Sequence, residues 1–165
     1  LMATPCKDET VKQTFLFACF CGLRISDVRT LRWADIGKGT EGYYISKLMV
    51  KTRHVVTVPL SENALSWMPA RGQARADDKV FELPSFFSVN YRLKQWAREA
   101  GIDKPVTFHV SRHTFATTLL TMGVDLYTTS KLLGHQNIIT TQVYAEIVNR
   151  KKVEAVNLLD QIKPL

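Results

Sequence analysis

Trp33-Ala34-Asp35-Ile36-Gly37-Lys38-Gly39-Thr40-Glu41-Gly42-Tyr43-Tyr44-Ile45-Ser46-Lys47-Leu48-Met49-Val50-Lys51-Thr52-Arg53-His54-Val55-Val56-Thr57-Val58-Pro59 is the stretch that decides the fold. Residues 33–36, 43–50 and 54–58 are rich in β-branched and aromatic side chains, and Gly37, Gly39 and Gly42 punctuate them. Runs of that kind, bounded by turn residues, predict about three strands of one small antiparallel sheet. Pro59 closes it, having no N–H to extend a ladder. The second connection, around Lys51, Thr52 and Arg53, reads as a tight hairpin with a basic tip.

On both sides of this stretch the pattern is helical. Residues 10–21 are mostly apolar and stop at Gly22, which reads as a buried helix with a glycine terminus, and Ser26 can cap a short second helix reaching Arg32. After the sheet, helices are predicted from 61 to about 68 and over 88–100, with the polar residues 71–79 between them as a surface loop. Further helices follow over 108–122, 125–133 and 137–148, and an amphipathic segment over 151–162. The chain is therefore predicted to be mainly α with one small antiparallel β-sheet. No internal repeat or low-complexity tract interrupts it.

At 165 residues with 45% apolar side chains, residues 1–165 can bury a core as a single domain. The most apolar stretch, residues 15–23, is far shorter than the roughly 18 apolar residues a membrane span needs, so no membrane partner is expected. Residues 1–7 show no secretion signal, and the chain reads as part of a longer protein whose start falls at a domain boundary. Three cysteines without metal-ligand spacing read as reduced thiols of an intracellular protein. With 22 Lys plus Arg against 15 Asp plus Glu, the net charge is +7 and the isoelectric point about 9.5, which points to an anionic partner, nucleic acid being the commonest.

Several residues carry more than the fold needs. Positions 108, 112, 115, 119 and 122 form one helical stripe of Phe, Phe, Leu and Met interrupted by Arg112, whose desolvation is costly unless an anion meets it. A buried internal carboxylate would satisfy Arg112, and so would a ligand. His109, three residues earlier, projects with it. Arg24 stands between a buried helix and a capped one, and a planar guanidinium suits a phosphodiester because it offers two parallel donors. Asp27 can orient Arg24 or a histidine, or serve as a first-turn acid. Lys51 at the hairpin tip can donate a proton or lie solvated, as can Arg53 and His54. His135 follows Gly134 just past a helix, and Asn137 caps the next segment, on which Tyr144 is either a core tyrosine or a reactive one.

Taken together these residues form an order. Gly22-Leu23-Arg24-Ile25-Ser26-Asp27-Val28-Arg29-Thr30-Leu31-Arg32-Trp33 is followed by Lys51-Thr52 before a strand ending Val58-Pro59-Leu60. Then come Phe108-His109-Val110-Ser111-Arg112-His113-Thr114-Phe115-Ala116-Thr117, Leu132-Leu133-Gly134-His135, and Tyr144 nine residues later. The order resembles the catalytic domain of tyrosine recombinases, or phage-type integrases. Residues 85–101, with Asn90, Leu93, Lys94 and Trp96, look most like integrases of bacterial conjugative transposons.

The resemblance implies the DNA breaking and rejoining fold of that family and a site-specific recombination reaction. Tyr144 would attack a scissile phosphate to give a 3′-phosphotyrosyl bond and a free 5′-hydroxyl. Arg24 and Arg112 would bind the nonbridging oxygens, Lys51 would protonate the leaving oxygen, His109 would assist proton transfer at the tyrosine, and His135 would hydrogen-bond a phosphate oxygen. Lys47 and Arg53 compete with Lys51 for its role, and the Lys-Thr pair favours Lys51. Lys47, Arg53, Arg92 and Lys94 are expected as flanking DNA contacts. No metal, ATP or other cofactor is implied. The partner would be double-stranded DNA, on which the chain forms a homotetramer while remaining monomeric when free, with accessory DNA-bending proteins as further partners.

A core-binding domain would precede this catalytic part, and residues 149–165 would form a tail helix docking either on a neighbouring protomer or on its own domain. The setting would be the bacterial cytoplasm, at the nucleoid. Two other functions share these residues: a type IB topoisomerase, and a DNA-binding module that has lost catalysis. A Mg²⁺ nuclease fits poorly, because no acidic cluster is placed to hold the ion.

Overall fold

A computed structural model describes residues 1–144 and 157 of the chain. Helix α1 (Glu9–Cys21) begins where the Asp8 carboxylate accepts the Val11 N–H at 3.0 Å and ends at Gly22, whose φ of 70° lies in the left-handed region. Arg24 is extended and opens the single-turn α2 (Ile25–Val28). That helix starts before Ser26, which therefore lies within it instead of capping it, and it stops short of Arg32. A 3-10 helix, Trp33–Asp35, leads into β1 (Ile36–Gly39), β2 (Gly42–Leu48) and β3 (Val55–Pro59). They form one antiparallel sheet in the order β1-β2-β3.

Residues 33–35 are not in the sheet, contrary to the sequence reading. The Arg32 N–H donates to the Asp35 carboxylate at 2.9 Å and closes a tight turn. The amides of Trp33 and Ala34 are taken by the carbonyls of Asp78 and Ala76, so the surface loop predicted over 71–79 is also a backbone partner of this turn. The helices predicted over 61–68 and 88–100 are present as α3 (Glu62–Ser66), shorter than expected, and α4 (Phe86–Glu99), which Ser85 caps so that it starts two residues earlier than expected. The rest is α5 (His109–Thr121), α6 (Leu126–Leu132) and a 3-10 helix, Ile138–Tyr144, in place of the first part of the α-helix predicted over 137–148. The remainder of that helix, and the tail helix over 149–165 but for residue 157, lie outside the described residues.

Two apolar clusters organise these elements. The larger joins α1, α4 and the sheet through Phe15, Phe17, Ile45, Val58, Trp96 and Phe108, and the smaller is Phe115, Ala116, Leu120, Leu133 and Tyr144. Arg112 sits on α5 at the seam, four residues after Phe108 and three before Phe115. The stripe that predicted this face holds through Leu119, but Met122 is 77% exposed because α5 turns off at Gly123, φ 96°, beyond the neighbours that cover it.

Lys47 is corrected from a DNA contact to a structural residue. Side chains alternate along β2, so Lys47 shares the inward face with Ile45, and its ammonium donates to the Asp35 carboxylate and the Thr30 carbonyl, both at 2.8 Å. Arg92 is likewise engaged, ion-paired with the Asp8 carboxylate that caps α1. Lys94 and Arg53 are exposed. The three cysteines are free thiols, and burial pushes Cys19 and Cys21 up to about 12.

Gly22 joins fold and site. Its backbone is left-handed, and a Cβ built on it would lie 2.5 Å from the Phe115 ring. Gly22→Ala is expected to lower unfolding free energy by about 2–5 kcal/mol in urea denaturation, from backbone strain and forced repacking together.

Candidate active site

Arg112 is 3% exposed, yet none of the ion pairs among the described residues includes it. Its guanidinium donates to the Gly22 carbonyl at 2.7 Å and to the Leu133 carbonyl at 2.6 Å. Both carbonyls close helices, α1 and α6, where the last turn leaves backbone oxygens without intrahelical partners and carries partial negative charge. Two helix ends thus hold a cation that the sequence reading would have given either an internal carboxylate or a ligand. Burial and the neighbouring Arg24 draw its pKa down to about 10, which leaves it fully charged at neutral pH. With two of five N–H donors used, three remain to bind an anion.

Arg24 contributes the second guanidinium. Its Nη1 is buried and has no hydrogen-bond partner among the described residues, a costly state for a charged donor. Asp27, fully buried one turn along, does not orient Arg24 or a histidine by a hydrogen bond. Its Oδ1 accepts the Val50 N–H at 2.7 Å. On the other side of the same loop, Gln136 donates to the Thr52 carbonyl at 3.2 Å. Lys51 is therefore presented between two anchored neighbours, and the turn is finished by Arg53 at φ 56°.

His109 opens α5 and stands within the fields of this cluster. Burial lowers its pKa, and the charges of His113, Arg112, Arg24 and Lys51 lower it further. His135 follows Gly134, whose left-handed turn packs against Val56 so closely that a Cβ there would sit 2.8 Å from that side chain. Its Nδ1 lies 2.9 Å from the Thr141 hydroxyl. That nitrogen is the only partner of the buried hydroxyl among the described residues. With the O–H donating to Nδ1, the ring proton sits on Nε2 and the buried hydroxyl is satisfied.

Burial, then Arg112 and Arg24, push His135 down to about 4, so it is neutral at physiological pH. Between pH 6.5 and about 4 the unfolded chain takes up a proton at this residue that the folded chain refuses. Stability is thus expected to fall as pH drops through that interval and to be unaffected by His135 above it. Urea denaturation from pH 7 to 4 checks this, and His135→Gln should flatten the acid limb.

Tyr144 ends the 3-10 helix, buried in the smaller cluster, with its hydroxyl 3.0 Å from Nδ1 of His113. Burial raises its pKa and the Arg112 charge partly offsets the rise. The rings of His109 and His113 meet edge to face at 4.6 Å between centroids. Arg24, Lys51 and Arg112 act electrostatically on His109, Arg24 and Arg112 on His135, and Arg112 on Tyr144, so mutual charge effects connect the six residues. His113 and Thr141 are additions that the sequence reading missed. His113 had a signal, being four residues from His109 on the same helical face, whereas Thr141 had none. No group of three or more His, Cys, Asp or Glu among the described residues is placed to hold a metal ion, and no described helix is long and apolar enough to cross a membrane.

A model of the phage integrase family matches residues 1–150. The chain is 34% identical over 171 residues to the tyrosine recombinase XerD of Proteus mirabilis, covering 92% of this chain and 53% of that protein. It spans about half the length of the curated relatives it matches. Its fold is shared with the catalytic domain of bacteriophage HP1 integrase, at a TM-score of 0.62 and 24% identity over 82% of this chain and 73% of that one. It is also shared with the Tn1549 transposon integrase in complex with circular intermediate DNA, at a TM-score of 0.59 and 21% identity over 80% of this chain and 54% of that one.

Proposed function

The chain belongs to the phage integrase family, and from that premise we propose that it is the catalytic part of a site-specific recombinase that cuts and rejoins DNA through a 3′-phosphotyrosyl bond. The observation that carries this reading is a pair of neighbouring guanidiniums, Arg24 lowering the pKa of Arg112, neither ion-paired among the described residues, with Arg24 Nη1 buried and unpartnered. Like charges held together in this way call for an anion, and a phosphodiester offers two nonbridging oxygens to two planar forks.

On this reading Arg24 and Arg112 bind the phosphate and stabilise the charge that builds on its equatorial oxygens, where a preorganised donor lowers the barrier most. His135, neutral and protonated on Nε2, donates a further hydrogen bond. Lys51, carried by the anchored hairpin, protonates the departing 5′-oxygen. His109 lies on the phosphate side among the cations. The phosphotyrosyl bond keeps the energy of the broken diester, so rejoining is the same chemistry run backwards.

The whole protein would add a core-binding domain before this one, recombine as a homotetramer on double-stranded DNA with accessory DNA-bending proteins, and serve a mobile element in the bacterial cytoplasm, at the nucleoid. Integrases of conjugative transposons are the subgroup favoured by residues 85–101.

The test is a nicked suicide duplex incubated with the chain at low salt in EDTA, low salt because phosphate contacts weaken steeply as counterions compete. A denaturant-resistant protein–DNA adduct, mapped by peptide mass to Tyr144, is the expected result. No adduct, or one mapped to another residue, overturns the reading.

A further inference from the structure

We propose that His113 is a catalytic residue: it takes the phenolic proton of Tyr144 during cleavage and returns it during rejoining. This rests on Tyr144 being the nucleophile. The bond from the tyrosine hydroxyl to His113 Nδ1, 3.0 Å, is the only hydrogen bond of that hydroxyl among the described residues. The two rings meet edge to face at 5.8 Å between centroids, and with the His113 ring proton on Nε2 the Nδ1 lone pair accepts from the phenol. His109, to which the sequence reading gave this task, makes no hydrogen bond to Tyr144 among the described residues. Its ring is turned to His113 and its field comes from Arg112, Arg24 and Lys51.

The two histidines of α5 therefore divide the site. His109 faces the cations that meet the phosphate, where a further positive charge is opposed. His113, one turn on, touches the nucleophile and is exposed to solvent on its other side, so its proton can exchange with water. Tyr144 needs such an acceptor because its buried phenol stays protonated at neutral pH.

The step balances. The Tyr144 O–H bond breaks as Nδ1–H forms on His113, and the phenolic oxygen pair forms the bond to phosphorus. The P–O5′ bond breaks, and its electron pair leaves on the 5′-oxygen, which takes a proton from Lys51. Rejoining reverses each transfer. The charged and titratable groups that face this pair are His109, packed on His113, and Arg112, whose charge acts on Tyr144, both from α5, with Arg24, just before α2, acting on Arg112 and on His109.

The experiment compares His113→Gln, His113→Ala and His109→Gln in the full chain, with rates of adduct formation on the nicked suicide duplex from pH 6 to 10. In parallel, the Tyr144 ring carbon is followed by NMR without DNA, its signal assigned by its loss in Tyr144→Phe. His113→Gln is expected to slow the adduct by about 10²–10⁴-fold near neutral pH. The rate should recover toward alkaline pH, as tyrosinate forms unaided, and added imidazole should rescue His113→Ala. The Tyr144 signal should titrate differently in His113→Gln and as in the parent in His109→Gln. A His113→Gln chain that forms the Tyr144 adduct at the parental rate overturns this proposal and leaves the nucleophile standing. Absence of any Tyr144 adduct in the parent chain instead overturns the nucleophile.

Discussion

Tyr144→Phe is expected to abolish the covalent DNA adduct altogether, the largest effect any single substitution should have on this chain. The change removes one oxygen and nothing else. Phenylalanine keeps the ring among Phe115, Leu120 and Leu133, and the lost partner, His113, is exposed and can turn to water. Stability should therefore move by only about 1 kcal/mol. DNA binding should persist, because the guanidiniums that would hold the phosphate are untouched. Loss of adduct with retained fold and retained DNA binding isolates the chemistry, and gel mobility with a thermal melt measures all three. An adduct that survived the substitution would move the nucleophile elsewhere.

Arg112→Ala is expected to act on two levels. Cleavage of the suicide duplex should fall by about 10²–10³-fold or more, the range for removing one preorganised donor from a developing oxyanion. Unlike an arginine that served the substrate alone, this one also satisfies the carbonyls of Gly22 and Leu133. Its removal leaves two buried acceptors unpaired, and unfolding free energy should drop by about 2–4 kcal/mol. Arg112→Lys separates the levels, since an ammonium can keep the charge and bond one carbonyl but cannot bridge both helix ends and still present a fork. The lysine variant should recover part of the stability and little of the cleavage. Equal recovery of both would argue that Arg112 acts only as a charge.

Much of this was legible in the sequence because it is local. The glycine that stops α1, the serine before α4 and the alternation along β2 are written in neighbouring residues, and so is the face shared by His109 and Arg112. Lys47 was legible too, lying two residues from Ile45 on the inward face of β2. The partners of Arg112 were not legible, because main-chain carbonyls carry no residue identity. Neither was the Arg92–Asp8 pair, which joins α4 to the cap of α1 across most of the chain. The 3-10 turn at residues 33–35 was misread for a related reason. Its apolar and aromatic composition suits a strand, but its amides are claimed by residues 76 and 78, far along the chain.

The attachment of Arg112 to the closing turns of α1 and α6 has a consequence for biosynthesis. Those turns are more than a hundred residues apart in sequence, and the guanidinium finds both only once the chain between them is complete and packed. On the proposed reading, a half-synthesised or misfolded polypeptide lacks the assembled guanidiniums on which cleavage depends, so the cutting chemistry is confined to finished molecules.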